Sequence, residues 1–534
     1  MASVLATSDM AKIVTNARAG FMAGKTRTKE ARRRNLEGIL QLIKNHSDDM
    51  IEAQRKDLHK PSFETIIGEV EMAKAEATDF LQRLDEIMGK TDVNDGSLLL
   101  LRKQAFVHRD PYGVCLVIGA WNYPIQLVLV PLIGAIAAGN AVVIKPSELS
   151  PACAELFARI IPQYLDPECY PVVNGGAEVA QALLKQRFDH ILYTGGCNVA
   201  KIIMRAAAEN LTPVTLELGG KCPAYVDSTG DVKSAARRIS WGKFMNSGQT
   251  CVAPDYVMCH ETLKDKLISE LKRCLRVSYG DDIKSSQDYG RMVSERHFDR
   301  VQALLQQCEE KVVFGGSYDR SQRYIEPTLL DNVTFDDTIM GEEIFGPILP
   351  IISVRSAEEA IRFINSREKP LALYVFSSDK IINNRFLTET SSGNLTVNET
   401  MIHVGAPALP FGGVGNSGMG AYHGKFSIDT FSHKKSCIVD PSPKQSELTM
   451  SIRYPPYSST KQSISCLLMR TASVAEKRIL KLLKYAIVVA LFAYGIRRLK
   501  YLIEILWNTA WFRKNLQQAQ AIAKMLGLDG IFYG

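Results

Sequence analysis

The residues most able to carry chemistry are a cysteine and a glutamate on two glycine-containing segments. Cys251 ends the segment FMNSGQTC (244–251), and Glu217 lies 34 residues earlier in LELGGK (216–221). A thiolate can attack a carbonyl carbon, and a separate carboxylate can then activate the water that releases the acyl group from sulfur. Apolar neighbours would raise the pKa of Glu217 by desolvation, which suits a general base near neutral pH. The pair therefore indicates covalent chemistry through a thioester.

A side-chain amide follows the first strongly apolar run of the chain. Asn122 lies in WNYP (121–124), directly after VCLVI (114–118). Open α/β sheets present ligands at the carboxyl ends of their strands, and an amide N–H there can stabilise a developing oxyanion. The alternative is that Asn122 only satisfies the backbone of a turn. The sequence alone leaves both interpretations open.

A glycine pair at the start of a predicted helix could receive a phosphate. Gly195 and Gly196 lie in YTGGCNVA (193–200), between an apolar run and a helical pattern. Glycine permits close backbone approach, and a helix N-terminus favours a pyrophosphate. The segment is not a G-x-G-x-x-G motif, so it predicts a nucleotide site only weakly.

The elements that would position these residues alternate between short apolar runs and helical patterns. Residues before about 100 have helical periodicity, and a second α/β series runs from 217 to about 398. This alternation predicts a parallel sheet covered on both faces. The predicted strands of the first series are 114–118, 141–144, 171–173 and 191–193, with helices at 125–138 and 199–209. Residues 450–454 are predicted as a short strand, followed by an extended connector at 455–459.

Length and composition bound the class of protein. With 534 residues, two or three domains are expected, and 46% apolar and 23% charged residues are ordinary for a soluble enzyme. Eleven cysteines without metal-ligand spacing predict no metal site and free thiols in a reducing, cytosol-facing compartment. Residues 1–12 contain no apolar core of a signal peptide.

The positive charge is concentrated near the C-terminus. Residues 461–514 hold eleven Lys and Arg against two acids, a net +9, so the remainder sums to −2 when the whole chain carries +7. A nearly neutral body argues against nucleic acid binding, and a basic tail favours an anionic membrane surface. The apolar run 485–496, its flanking basic residues and the nearby Trp507 and Trp511 predict a membrane anchor that spans or lies in the interface. A docked helix pair or a dimer contact is the alternative.

These segments together resemble the aldehyde dehydrogenase superfamily, over residues 13–457. The resemblance implies that Cys251 is the nucleophile, Glu217 the general base and Asn122 an oxyanion donor. It also implies a Rossmann-like NAD-binding domain, an α/β catalytic domain, a small β bridging or oligomerisation element and a C-terminal helical tail. The corresponding boundaries are 1–216, 217–400, 401–457 and 458–534.

The same resemblance supplies the nucleotide contacts. In KPSE (145–148), Lys145 would contact the adenosine ribose and Glu148 would accept from its hydroxyls, which favours NAD and leaves NADP possible. In EEIFGP (342–347), Glu343 would hold the nicotinamide ribose and Phe345 would pack near the ring. A surface Lys-Glu pair and a simple turn are the respective alternatives. Cys197 and Ala200 replace the hydroxyl residue and glycine usual in the family.

LTPVTLE (211–217) and RYPPY (453–457) resemble the class 3 branch, and the basic C-terminal extension resembles its microsomal fatty aldehyde dehydrogenases. The branch implies a homodimer that oxidises medium- to long-chain aliphatic aldehydes, associated with a membrane and facing the cytosol, most simply at the endoplasmic reticulum. Two alternatives remain: a CoA-acylating dehydrogenase, which Glu217 argues against, and a catalytically silent membrane scaffold on the same fold.

Overall fold

The computed structural model describes residues 7–93, 100, 103–469, 496–501, 504 and 510–525. The chain divides into two units, one formed by residues 1–90 and 108–435 and the other by residues 91–107 and 436–534. The first unit holds all the predicted site residues. The domain boundaries predicted at 216/217, 400/401 and 457/458 stay predictions.

Seventeen strands are present in the described residues. They are β1 (Thr91–Asp92), β2 (Gln104–Pro111), β3 (Val114–Ile118), β4 (Ala141–Lys145), β5 (His190–Thr194), β6 (Val214–Glu217), β7 (Pro223–Val226), β8 (Tyr256–His260), β9 (Val312–Phe314), β10 (Tyr318–Asp319), β11 (Tyr324–Ile325), β12 (Thr328–Leu330), β13 (Ile348–Val354), β14 (Ala372–Phe376), β15 (Asn394–Val397), β16 (Gly418–Met419) and β17 (Ser432–Val439).

The α-helices of the described residues precede, separate and follow these strands. They are α1 (Thr7–Met22), α2 (Lys29–Leu58), α3 (Ser62–Thr65), α4 (Glu71–Gln82), α5 (Leu84–Met88), α6 (Gln126–Ala138), α7 (Pro151–Tyr164), α8 (Ala177–Leu184), α9 (Cys197–Ala208), α10 (Val232–Phe244), α11 (Lys264–Tyr279), α12 (Glu295–Gln306), α13 (Ala357–Asn365), α14 (Lys380–Glu389), α15 (Lys425–Thr430), α16 (Pro443–Met450), α17 (Ser459–Met469) and α18 (Ala510–Met525). A π-helical turn, Ile66–Val70, joins α3 to α4.

The first sheet has five strands in the order β16-β6-β5-β3-β4, with β3 to β6 parallel and β16 antiparallel at the edge. The chain passes from β3 to β4 on one side and to β5 on the other. Such a reversal opens a crevice at the carboxyl ends of the central strands, where α/β sheets bind dinucleotides. Helix α6 is apolar all round and buried at every position, where it contacts β3, β4, α2 and α4.

The second sheet has seven strands in the order β15-β14-β7-β8-β13-β12-β9. Its pairs are parallel except for β9, which lies antiparallel to β12 at the edge. Strands β7, β8 and β14 are almost wholly buried, as expected of parallel strands covered on both faces. The predicted α/β class is confirmed by both sheets.

Two predicted strands are wrong. Residues 171–173 form only one bridge, between Val172 and Ile144, because Pro171 has no N–H to donate and Gly175 turns the chain away. Residues 450–454 end helix α16 and continue as the 3-10 turn Ser451–Arg453 instead of a strand. The predicted extended connector gives way to helix α17 after Ser458.

In the second unit, β1 pairs antiparallel with the start of β2, and α16, α17 and α18 supply its described helices. Strands β16 and β17 fall within the range predicted for a bridging or oligomerisation element, and that role stays a prediction. Within the described residues, no helix combines the length and apolarity needed to cross a bilayer. The predicted anchor run 485–496, apart from Ile496, lies outside the described residues, as do Trp507 and the side chain of Trp511.

Candidate active site

Four predicted site residues lie at one edge of the five-stranded sheet. Lys145 and Glu217 are the last residues of β4 and β6, while Asn122 and Gly195 follow β3 and β5 within a few residues. The parallel register pairs Ile118 with Lys145 and Tyr193, and Thr194 with Glu217. The carboxyl ends of these strands therefore meet at a single edge, as the sequence predicts.

A tight turn before Cys251 brings this residue close to the same sheet edge. Helix α10 ends at Phe244, and the 3-10 turn Met245–Gly248 follows, with Asn246 and Ser247 both at a φ of 52°. A Cβ on Gly248 would lie 2.3 Å from the carbonyl oxygen of Gly346, so only glycine fits there. The turn thus brings the segment before Cys251 directly against the EEIFGP segment.

A cavity of about 900 Å³ extends from Cys251 to the surface. Its wall is mostly apolar and aromatic, and Phe411 of the glycine-rich segment 410–418 contributes to it. Large apolar side chains remain exposed at its lining, among them Phe63, Trp241 and Val277. Such a cavity suits a substrate with an apolar body whose reactive end meets the thiol.

Asn122 is buried next to the segment that leads to Cys251. Its Nδ2 donates to the main-chain oxygen of Gln249 at 3.1 Å. The neighbouring Tyr123 hydroxyl lies 2.8 Å from the Thr250 hydroxyl, so the WNYP and GQTC segments are joined twice. The amide has a second hydrogen, which leaves one donor for another acceptor near Cys251.

Glu217 is a buried carboxyl with no polar partner in the described structure. It is 2% exposed, and neither carboxylate oxygen has a hydrogen bond among the described residues. Desolvation therefore raises its pKa well above the usual value for glutamate. A buried polar group without a partner is unusual in a native protein, and here it suits a base that acts on a transient water.

The thiol of Cys251 is held in its protonated form. Burial raises its pKa to about 12, and the charges of Glu343 and Glu217 add to the effect. The main-chain oxygen of Cys251 accepts from the Cys222 thiol at 3.4 Å. The backbone N–H groups of Cys251 and Val252 lower this pKa by less than burial raises it, so the thiolate of Cys251 is a minor species at neutral pH.

Glu343 and Phe345 lie on the segment between the 3-10 turn Thr338–Met340 and β13, and the structure brings both to the site. A Cβ on Gly219 would lie 2.4 Å from Oε2 of Glu343, so this carboxyl packs against the turn that follows Glu217. Burial, with a smaller contribution from Asp255, raises the pKa of Glu343 to about 8. The Phe345 ring meets the Trp121 ring edge-on, with centroids 5.4 Å apart.

The remaining predicted residues lie at or just beyond the carboxyl ends of β4 and β5. A Cβ on Gly195 would lie 2.2 Å from the Tyr193 hydroxyl, whereas a Cβ on Gly196 would meet no atom within 4 Å. Gly196 is the N-cap of α9, so open space lies beside the first N–H groups of that helix. These residues fit a dinucleotide pyrophosphate.

Lys145 and Glu148 contact each other directly. The Nζ of Lys145 donates to Oε2 of Glu148 at 3.0 Å, and the lysine side chain is buried while that of Glu148 is 47% exposed. A direct pair is what the alternative interpretation predicts. It does not prevent either side chain from turning to a ribose, because a single hydrogen bond joins them.

The sequence did not reveal several residues that shape the site. Lys60 and Glu69 form a buried ion pair below Asn122, and Asn246 donates to the same turn. Asp255 pairs with Lys221 at 2.7 Å and accepts from the N–H of Ile344, which fixes the Glu343 segment. Lys221 and Asn246 lie within the recognised motifs and could have been singled out. Lys60, Glu69 and Asp255 gave no local signal. In the described parts of the chain, no three His, Cys, Asp or Glu side chains are grouped as metal ligands.

Residues 2–437 match the aldehyde dehydrogenase family. The chain is 51% identical over 450 residues to the dog protein "Aldehyde dehydrogenase, dimeric NADP-preferring", a match that covers 84% of this chain and 98% of that relative. It is 47% identical over 456 residues to rat "Aldehyde dehydrogenase family 3 member A2", covering 85% of this chain and 93% of that relative. The solved structure "Substrate bound state of Staphylococcus Aureus AldH" superposes with a TM-score of 0.83 at 44% identity, covering 85% and 98% of the two chains.

These matches confirm the resemblance to the class 3 branch, since the rat relative is a family 3 member. They confirm a dehydrogenase acting on the aldehyde group and a nicotinamide coenzyme, NAD or NADP, as used throughout the family. The match covers both sheets and every predicted site residue. On the match over 2–437 and the shared α/β fold, this chain belongs to the aldehyde dehydrogenase family.

Proposed function

We propose that this protein oxidises medium- to long-chain aliphatic aldehydes to carboxylic acids through a thiohemiacetal and a thioester on Cys251. The observation that carries the proposal is the position of the Cys251 thiol in an apolar cavity of about 900 Å³, with the buried Glu217 close enough to raise its pKa. The cavity receives the apolar body of the substrate. The two side chains supply the nucleophile and the base.

The first step is addition of the Cys251 thiolate to the aldehyde carbon. The S–C bond forms, the C=O π bond breaks, and the oxygen becomes an oxyanion. The free N–H of the Asn122 amide and the backbone N–H of Cys251 stabilise this charge in a site shielded from water. Collapse of the oxyanion with loss of hydride leaves the thioester on Cys251.

Glu217 acts in the second half of the reaction. As a carboxylate it accepts a proton from water, whose oxygen attacks the thioester carbon. The C–S bond breaks, the carboxylic acid is released, and the Cys251 thiolate takes the proton back from Glu217. Its raised pKa makes it a strong base and also keeps it protonated at low pH. The rate of thioester hydrolysis therefore rises with pH as Glu217 ionises.

The coenzyme fits the residues at the carboxyl ends of the first sheet. Gly195 and Gly196 would receive the pyrophosphate, Lys145 and Glu148 the adenosine ribose, and Glu343 and Phe345 the nicotinamide ribose and ring. When bound, the coenzyme accepts the hydride. With the ribose held there, Glu148 would bring a negative charge close to the 2′-phosphate of NADP, which supports a preference for NAD.

Burst kinetics test the two roles. Cys251→Ser should abolish turnover, whereas Glu217→Gln should keep a burst of NADH close to one per site with a steady state reduced by at least about 10²-fold. Cys466→Ser, at an exposed cysteine, is the matched control and should behave as wild type. Equal loss of burst and steady state in Glu217→Gln would contradict its role in deacylation.

Two further assays decide between this activity and its alternatives. Product analysis with and without CoA separates hydrolysis from acyl transfer to a thiol. A series of aldehydes of increasing chain length tests the substrate class: kcat/KM should rise with chain length as more of the apolar wall is covered, at about 0.8 kcal/mol per buried methylene. A flat profile would contradict a fatty aldehyde specificity.

Dimerisation and membrane association belong to the same proposal. The dog relative is named dimeric, and the +9 charge of residues 461–514 supports binding to an anionic surface, as at the cytosolic face of the endoplasmic reticulum. The full chain should float with vesicles that contain phosphatidylserine, and a variant ending at Tyr457 should not. Equal flotation of both would place the membrane contact elsewhere.

A further inference from the structure

The turn that carries Asn122 is held at both ends by one pair of side chains. Upstream, the Nζ of Lys60 donates to the main-chain oxygen of Asn122 at 2.9 Å. Downstream, Oε2 of Glu69 accepts from the N–H groups of Ile125 and Gln126, at 2.9 and 3.1 Å. Lys60 Nζ also donates to Oε1 of Glu69 at 2.5 Å, which closes the ring of contacts around the turn.

This ion pair is fully buried, and unusual backbone conformations place both of its side chains. Both side chains are 0% exposed. His59 adopts a left-handed φ of 54° after α2, which directs the chain inward at Lys60. Glu69 lies in the π-helical turn Ile66–Val70, an element that is rare and concentrated at functional sites. Removing two charges from water is costly, so a buried ion pair adds little net stability compared with apolar residues of the same size.

The contacts explain what the pair does for Asn122. Glu69 accepts from N–H groups at the start of α6, where helices favour a negative charge. Lys60 and Asn246 both donate to the Asn122 main-chain oxygen, the latter at 2.8 Å, so the peptide plane of that residue is fixed by two donors. Lys60 Nζ also lies 4.1 Å from the centroid of the Tyr123 ring, on the next residue of the turn.

We propose that Lys60 and Glu69 form a clamp that holds the Asn122 amide in the direction required by the oxyanion, so that both are positioning residues for the chemistry at Cys251. The inference rests on the proposed function and deepens it. A donor that drifts by about 1 Å loses much of its effect on a transition state, on the order of 10²-fold in rate. The clamp therefore acts on steps that create an oxyanion and leaves other reactions of the thiol alone.

The test uses the double variant Lys60→Met/Glu69→Gln. It removes both charges together, which avoids an uncompensated buried ion, and the side-chain amide introduced by Glu69→Gln keeps an oxygen for the α6 N–H groups. Two reactions of Cys251 are compared in the full chain. Acylation by p-nitrophenyl acetate passes through an oxyanion, whereas alkylation by iodoacetamide forms none. Peptide mapping assigns both adducts.

Acylation of the double variant should be about 10²-fold slower than in wild type, with alkylation changed less than about 2-fold. The NADH burst with aldehyde should slow in parallel with acylation. A merely structural role would slow acylation and alkylation together, and that result, or normal acylation, would overturn the proposal. Lys74→Met/Glu71→Gln is the matched control, because that ion pair on α4 is about half exposed and should leave both rates unchanged.

Glu69→Gln alone gives a second route if the double variant does not fold. It keeps an oxygen for the N–H groups at the start of α6 and removes the charge that holds Lys60 Nζ. Slower acylation with normal alkylation supports the clamp, and unchanged acylation overturns it. Absence of aldehyde-dependent NADH formation in wild type would instead contradict the proposed function, so the two failures are distinct.

Discussion

The Cys251 thiol carries its proton at neutral pH, because its apolar surroundings and two nearby carboxyls raise its pKa to about 12. A thiol alkylates only as the thiolate, and below the pKa the thiolate fraction grows tenfold for each pH unit. Alkylation of Cys251 by iodoacetamide, without coenzyme, should therefore rise about tenfold per unit from pH 7 to pH 10. Peptide mapping across this range measures the rate at Cys251 alone.

The exposed Cys466 is the internal comparison for that titration. Its adduct is mapped in the same samples, so the two cysteines meet the same reagent at each pH. If alkylation of Cys251 levelled off below pH 9, a cation or a further hydrogen-bond donor to the sulfur would have to stabilise the thiolate. The resting site would then be activated before coenzyme binds.

In the proposed function, coenzyme choice depends on one half-exposed carboxylate. Glu148 lies 3.0 Å from Lys145, and its charge opposes a 2′-phosphate more than a 2′-hydroxyl. Glu148→Gln should raise the ratio of kcat/KM for NADP to that for NAD by about 5- to 10-fold, equivalent to about 1 kcal/mol. Steady-state assays with both coenzymes measure this ratio, and Glu155→Gln, at an exposed position on α7, is the control. An unchanged ratio would remove Glu148 from coenzyme selection.

At the scale of the elements, the connection between β5 and α9 contains two adjacent glycines with different expected roles. Gly195 is needed for packing, and Gly196 leaves room for the dinucleotide. A Cβ on Gly195 would overlap the Tyr193 ring and hydroxyl, whereas a Cβ on Gly196 would project into open space at the N-terminus of α9. Gly195→Ala should destabilise the protein by about 1–3 kcal/mol through overpacking. Gly196→Ala should leave the thermal midpoint unchanged and weaken NADH binding by about tenfold or more.

Thermal unfolding and fluorescence titration with NADH measure the two effects separately. The contrast between neighbours is the control, since both changes add the same methyl group. Wild-type NADH affinity in Gly196→Ala would show that the dinucleotide does not approach α9 at this point.

Strands and helices with a clear sequence pattern could be predicted from the sequence. Whether a short apolar stretch pairs with a neighbouring strand could not. Strands β3, β4 and β5 are continuous apolar runs, and the structure extends the predicted bounds of β4 and β5 by only one or two residues. Residues 171–173 have similar composition, yet their only bridge partner in the described chain is Ile144. Residues 450–454 are predicted as a short strand, but no neighbouring strand pairs with this stretch among the described residues, and residues 451–453 form a 3-10 turn.

The same distinction applies to the site. Cys251, Glu217 and Asn122 lie in compact motifs whose residues are neighbours in the chain, so their spacing was informative. Lys60 and Asn122 are 62 residues apart, and their contact depends on how α2 packs against α6, the helix that follows Asn122. A lone Lys or Glu in a polar N-terminal region has no pattern that would reveal its burial.

Across the whole molecule, one buried carboxyl joins the N-terminal helices to the segment that follows β16. Oε1 of Glu76, on α4, accepts from the N–H of Gly424 at 2.7 Å, across 348 residues of chain. Burial raises the pKa of Glu76 to about 7, from 4.5. A carboxyl whose pKa is higher in the folded state binds its proton more tightly there. Its contribution to the free energy of unfolding is therefore full below pH 4.5 and is lost as the pH rises to 7.

Glu76→Gln should therefore stabilise the protein at high pH and not at low pH. The neutral amide keeps an oxygen for the Gly424 N–H and removes the cost of a buried charge. About two and a half pKa units correspond to about 3 kcal/mol. The stability of the variant relative to wild type should therefore increase by up to about this amount when the pH is raised from about 4.5 to about 8. Thermal unfolding at both pH values measures the gain, with Glu71→Gln, an exposed change on the same helix, as the control. If the difference in stability between variant and wild type did not depend on pH, Glu76 would be ionised in the folded protein at neutral pH. A cation or water would then have to shield its charge where α4 meets Gly424.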